Sequence, residues 1–287
     1  MTASILYAML SLVCAGVNDL FFKRYAARER SRGAYVFGIG TVWAALQISL
    51  ALGGDVGLAV DNVTLAYGLV AGVLLTVSNL LLLESLSHIN VSLGTTTYRL
   101  NTVVVVLLSM AFLHEPLGTF KGLGVVLGVL AVLLLYERSG RRGVTGRQFK
   151  FFFALAILAS LSRAIYGVVS KAGLTNGAVL QSLLVIAAVC WMGGGVGYAI
   201  LGEKRFRITI KMLLYSTISG VLVFLIVNFL LLAIEQGEAS IVIPIANMSF
   251  LVSVVLSVGL GMEQFSRRKS VAVILSACAM ILLSMSD

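Results

Sequence analysis

Val63 to Ser85 reads VTLAYGLVAGVLLTVSNLLLLES, an unbroken apolar stretch whose one charged residue, Glu84, stands at its end. A helix rises about 1.5 Å per residue, so this stretch is long enough to cross the roughly 30 Å of a bilayer's hydrocarbon. Moving 148 residues along the chain brings a second version of it, KMLLYSTISGVLVFLIVNFLLLAI, from Lys211 to Ile234. At that offset Tyr67 falls on Tyr215, Gly72-Val73-Leu74 on Gly220-Val221-Leu222, and Leu82-Leu83 on Leu230-Leu231. One membrane-spanning segment that occurs twice, half a chain apart, decides the reading of the whole.

The same offset holds outside these stretches. Lys23 meets Lys171, Trp43 meets Trp191, Ser109 meets Ser257, Glu115 meets Glu263 and Lys121 meets Lys269. Lys, Trp and Glu are scarce here, so these matches weigh more than matched leucines. Apolar runs predict spans over 4–23, 34–53, 63–85, 91–113, 117–136, 150–170, 179–201, 211–234, 239–262 and 268–286. Lipid offers the backbone no hydrogen-bond partner, so each span must be helical, and strands of alternating polarity that would build a barrel are missing. The expected fold is all-α membrane, with ten transmembrane helices as two five-helix repeats, 1–139 and 151–287, joined by a basic loop at 140–150. Five spans per repeat is an odd number, so the second repeat must run inverted, the construction found in secondary transporters.

Of 287 residues 59% are hydrophobic and 11% charged, too little charge to cover a soluble domain. The formal charge of +9 does not point to nucleic acid, because the cations gather in alternate loops and no RNA- or DNA-binding motif accompanies them. One set of loops holds Arg24, Arg28, Arg30 and Arg32; Arg138, Arg141, Arg142, Arg147 and Lys150; Lys204, Arg205, Arg207 and Lys211; and Arg267, Arg268 and Lys269. The other set holds Asp55, Asp61, Glu115, Glu235 and Glu238. The positive-inside rule places the basic loops in the cytoplasm and both termini outside, in a multi-pass protein of the inner (plasma) membrane. Cys14, Cys190 and Cys278 lie far apart in apolar runs and form no metal-binding pattern.

Several motifs resemble one family. The first span ends Asn18-Asp19-Leu20-Phe21-Phe22-Lys23, echoed by Ala164-Ile165-Tyr166-Gly167-Val168-Val169-Ser170-Lys171. The fourth and ninth spans close on Glu115 and Glu263, and Glu235-Gln236-Gly237-Glu238-Ala239 leads into a helix bearing Pro244. In these features the chain resembles the drug/metabolite transporter superfamily, in its ten-helix EamA-like branch. The resemblance implies transport of metabolites, amino acids, sugars or drugs without a prosthetic cofactor. It also implies a central cavity lined by spans 1, 3, 4, 6, 8 and 9. Thr96, where the repeat places Pro244, departs from the pattern.

Charge inside a membrane is costly and marks candidate sites. Arg99 lies near the middle of span four, and its repeat partner Asn247 lies at the same depth in span nine. Tyr98 and Asn101 flank Arg99, and Ser249 flanks Asn247. Asp19, beside Asn18, is about 7 Å shallower, within reach of an arginine side chain. An Asp19–Arg99 ion pair is therefore expected, as a gate displaced by solute or by a coupling proton. Arg163 and Tyr166 in span six, Tyr7, and the amides Asn79 and Asn228 are further candidates for lining the path. Against these stand structural readings: helix-joining ion pairs, interhelical amide bonds and solvated caps at Glu84, Glu115, Glu235 and Glu263.

Two intramembrane arginines favour an anionic or zwitterionic small molecule, such as an amino acid or organic acid, since guanidinium donors fit a carboxylate. The rival readings are a lipid-linked-sugar flippase, a cationic drug exporter, and an integral-membrane enzyme or sensor. A cation exporter needs a deep unpaired carboxylate. An enzyme needs the clustered aspartates, HExxH, GxSxG or Walker motif that this sequence lacks. Gly124 and Gly128, matched by Ala272 and Ser276, give small-residue faces suited either to joining spans five and ten or to a homodimer.

Overall fold

The computed structural model describes residues 2–26, 31–53, 58–88, 98–116, 118–134, 146–260 and 267–284. Every element among them is helical: α1 (Thr2–Ala26), α2 (Arg32–Gly53), α3 (Asn62–His88), α4 (Asn101–Leu113), α5 (Thr119–Leu134) and α6 (Gly146–Thr175). Then come α7 (Leu180–Gly197), which runs into a π turn at Tyr198–Gly202, α8 (Ile210–Gln236), α9 (Ala239–Asn247), α10 (Phe250–Gly259) and α11 (Arg267–Ser284). Six segments among the described residues are long and apolar enough to cross a membrane, in α1, α2, α3, α6, α7 and α8. Shorter apolar helices occupy the places expected for spans four, five, nine and ten. The beginning of span four, with Thr96, lies outside the described residues, as does Glu263.

Two of the long helices begin where a side chain supplies a hydrogen bond that the first turn lacks. Asp61 accepts the Thr64 amide at 2.7 Å ahead of α3, and Thr209 Oγ1 accepts the Met212 amide at 3.2 Å ahead of α8. The turn from α6 to α7 closes on Gly177, whose φ of +88° is easy only for glycine.

Helix contacts follow the internal repeat. The α1 helix packs on α8 and α3 on α6; α3 also packs on α7, and α2 on α8. The α4 helix meets α6, and α10 meets α1, while α2 meets α7 and α5 meets α11. Replacing each helix by its counterpart at the 148-residue offset exchanges these contacts in pairs and returns the α2–α7 and α5–α11 contacts to themselves. Single bonds obey the same exchange. Ser11 Oγ donates to the Ile226 carbonyl at 2.9 Å, and at the offset positions Ser78 Oγ donates to the Ala159 carbonyl at 2.9 Å.

Helices in lipid gain little from hydrophobicity between themselves and instead use close approach through small residues. At the α2–α7 crossing, a Cβ on Gly33 would sit 2.5 Å from the Ala199 nitrogen, and one on Gly195 would sit 2.5 Å from the Phe37 nitrogen. Trp43 and Trp191 meet edge to face there, with ring centroids 5.9 Å apart. Both are buried, so they pack the crossing rather than anchor at an interface. Gly124 faces Ala279 and Leu283, so its small-residue face joins α5 to α11 within one chain.

Candidate functional site

The site begins with two interrupted helices. Span nine, expected as one helix, stops after α9 and resumes as α10. Pro244 inside α9 has no amide to donate, and its ring crowds the preceding turn. The Met248 amide then bonds Ile245 at 3.0 Å and the Leu251 amide bonds Met248 at 2.9 Å, both one residue tighter than an α-helix requires. Met248 has φ −77° and ψ 14°. Leu100, its counterpart at the offset, has φ −66° and ψ −5°, and its carbonyl takes the Val103 amide at 3.1 Å. Each break is thus preceded by one of the paired polar residues, Arg99 or Asn247. Irregular backbone at membrane depth is tolerated where protein or a solute path surrounds it.

Arg99 fills the gap that these breaks create. Its guanidinium donates to the Asn247 carbonyl at 2.5 Å, at the electronegative end of α9, and to Ser249 Oγ at 2.9 Å. The other terminal nitrogen donates to Asp19 Oδ2 at 2.8 Å. Ser253 Oγ donates to the same carboxylate oxygen at 3.0 Å. Asn247 Nδ2 reaches Asn101 Oδ1 at 2.7 Å and Thr102 Oγ1 at 3.2 Å. One cluster therefore ties α1 to both broken spans. Its side chains are not sealed: Arg99 is 15% and Asp19 42% accessible.

Two buried polar atoms beside the cluster, Asn18 Oδ1 and Asn101 Nδ2, have no hydrogen-bond partner among the described residues. Burying an unsatisfied amide costs stability, so these atoms are spare hydrogen-bonding capacity. A cavity between Arg99, Thr102, Pro244 and Asn247 holds about 10 Å³. That is room for roughly one water, so a solute must displace side chains to enter.

The other sequence candidates have partners of their own. Tyr98 accepts a bond from Ser78 Oγ at 3.3 Å. The Arg163 guanidinium sits 5.0 Å above the ring of the buried Tyr166. Asn79 bonds back to the Leu75 carbonyl at 2.8 Å, within its own helix. Tyr7 stacks on Phe229 at 6.3 Å. Asn228 exchanges hydrogen bonds of 2.8 and 3.2 Å with Gln47, which also donates to Gln181. Gln47 is fully buried and joins α2, α7 and α8, a role the sequence reading missed although an amide in an apolar run signals it.

A larger space of about 750 Å³ opens at the end away from the basic loops, among the ends of α1, α4, α6 and α8 and the start of α9. Several of the charged groups in and beside it serve helix ends. Glu115 accepts the amides of Ala239 and Ser240, each at 2.8 Å, and so caps α9. It is a buried cap, where the sequence suggested a solvated one. Lys171 donates to the carbonyls of Ile234 and Gly237 at 2.7 and 2.9 Å at the end of α8. Lys121 pairs with Glu238 and donates to the Pro116 carbonyl at 2.6 Å.

The sequence profile of the EamA-like transporter family matches residues 2–137. Over that first part of the chain the sequence is similar to the EamA-like transporter family. A solved structure titled only "Crystal structure of protein" shares its fold end to end, with a TM-score of 0.84 over 99% of this chain and 97% of that one, at 14% identity. No curated protein matches it in sequence. The EamA-like family is one of membrane transporters, and the long apolar helices of this chain make it a multi-pass membrane protein.

Proposed function

We propose that this protein carries a small zwitterionic or anionic metabolite by alternating access between two inverted repeats, residues 1–139 and 151–287. The exchange of helix contacts at the 148-residue offset and the matched breaks at Leu100 and Met248 support the inverted arrangement. Two related halves framing a site at broken helices can rock between mirrored states. The basic loops face the cytoplasm, and the 750 Å³ vestibule faces outward across the inner membrane.

The observation that carries the reading is the Arg99 guanidinium, held between the Asp19 carboxylate and the free end of α9. A solute entering there must break an ion pair, and a lone charge left behind is costly. A zwitterion replaces both halves of the pair at once, its carboxylate on Arg99 and its ammonium on Asp19. A plain anion replaces only Asp19 and leaves that carboxylate stranded unless a proton neutralises it. Zwitterions therefore match the open pair without a coupling ion, and plain anions match it less well. A plain cation leaves Arg99 exposed to the same cost.

Uptake of labelled amino acids, organic acids and organic cations into proteoliposomes tests this. The expected result is transport of a zwitterion or anion that Arg99→Ala abolishes. Transport of cations alone, or full activity in Arg99→Ala, contradicts it.

A further inference from the structure

We propose that residues 204–211 form a docking strap for the headgroups of anionic phospholipids, independently of the Arg99 site. The segment Lys204-Arg205-Phe206-Arg207-Ile208-Thr209-Ile210-Lys211 joins the π turn after α7 to the start of α8. Both neighbours are membrane-crossing helices, so the segment lies at headgroup level. It is anchored at several points. Glu203 accepts bonds from Ser31 Oγ and the Arg32 amide, each at 2.9 Å, and so caps α2. The Arg205 amide bonds the Ala199 carbonyl at 2.9 Å, and the Arg205 carbonyl accepts from Ser31 Oγ at 3.0 Å. Phe206 rests edge-on against Phe37 at 5.7 Å.

The anchored strap presents cations alternating with apolar side chains. Lys204, Arg205, Arg207 and Lys211 are all exposed. Between them Phe206, Ile208 and Ile210 are 42%, 55% and 86% accessible. Glu203, the acid that precedes the strap in sequence, is committed to α2. Apolar groups at the bilayer boundary sink toward the acyl chains, while cations meet phosphates, each raising affinity for an anionic surface roughly fivefold. The fold does not demand this chemistry. At the 148-residue offset, residues 56–63 read VGLAVDNV, with no cation and one acid. Setting orientation does not demand it either, since loop charge alone does that.

The test uses the purified full chain in an uncharged detergent. Tm is followed while phosphatidylglycerol, phosphatidylcholine or inorganic phosphate is added. Phosphatidylglycerol is expected to raise Tm, and the other two are not. The variant Arg205→Gln/Arg207→Gln/Lys211→Gln is expected to need about a hundredfold more phosphatidylglycerol for the same shift. Arg147→Gln/Lys150→Gln, which removes exposed cations elsewhere at the basic end, is expected to need less additional phosphatidylglycerol than the strap variant. Phe206→Ser/Ile208→Ser keeps every charge, and decides the matter if the charge variant does not fold; it is expected to need about tenfold more lipid. An equal shift with phosphatidylcholine, a shift with phosphate alone, or strap variants that follow wild type overturn the proposal.

Discussion

Two clusters of charge occupy this chain, and they use the same residue types for different ends. In the vestibule Glu115 and Lys171 are each bound to two backbone groups, and Lys121 joins a carboxylate to a carbonyl. These side chains complete helix ends, and a solute that displaced them would leave the ends of α8 and α9 unsatisfied. In the Arg99 cluster the partners include an accessible carboxylate, two hydroxyls and one carbonyl, with two amide atoms beside them that have no partner among the described residues. That second arrangement can exchange one partner for another. The vestibule residues brace helix ends, and in the proposed cycle it is the Arg99 cluster that a solute displaces.

Mutations separate the two. The largest effect is expected at Arg99: Arg99→Ala lowers transport at least about a hundredfold while Tm moves by only a few degrees, measured side by side on uptake and thermal melts. Next comes Glu115. Glu115→Ala strands two amides of α9 and is expected to cost about 2–4 kcal/mol in stability, with transport per folded molecule kept. A brace that also lowers activity per folded molecule would erase the distinction. Smaller still is the coupling between Asp19 and Arg99. A double-mutant cycle on solute affinity with Asp19→Asn and Arg99→Gln is expected to give about 1 kcal/mol, because the accessible carboxylate is screened.

The smallest effect lies outside the membrane. Hydrogen bonds from Thr64 hold the Asp61 carboxyl below its usual range. A carboxyl lowered by folding stabilises the protein above its ordinary titration range and loses that contribution as pH falls. Asp61→Asn is therefore expected to lower Tm by about 2 °C or less near neutrality and by nothing in acid. Thermal melts across that range check it.

Much of this was legible in the sequence because membrane spans leave a strong signal. The apolar runs located the helices, and the offset of Tyr67 on Tyr215 located the repeat. The meeting of Asp19, Arg99, Asn101 and Asn247 was legible because charge and amides are rare at that depth. The break at Leu100 was not, since it has no proline among the described residues, only a tightened turn. Ser253 was hidden because a serine in a span normally bonds its own helix, and only the fold brings it to Asp19. The burial of Glu115 was hidden for a similar reason: its partners are amides 124 and 125 residues away.

The most direct measurement is a thermal-shift titration of wild type, Asp19→Asn and Arg99→Gln against one zwitterion, its plain anion and its plain cation. If solute replaces the ion pair, wild type is stabilised most by the zwitterion, Asp19→Asn shifts preference toward the anion, and Arg99→Gln responds to neither. If all three proteins rank the three compounds alike, the Asp19–Arg99 pair only joins helices, and the solute binds elsewhere.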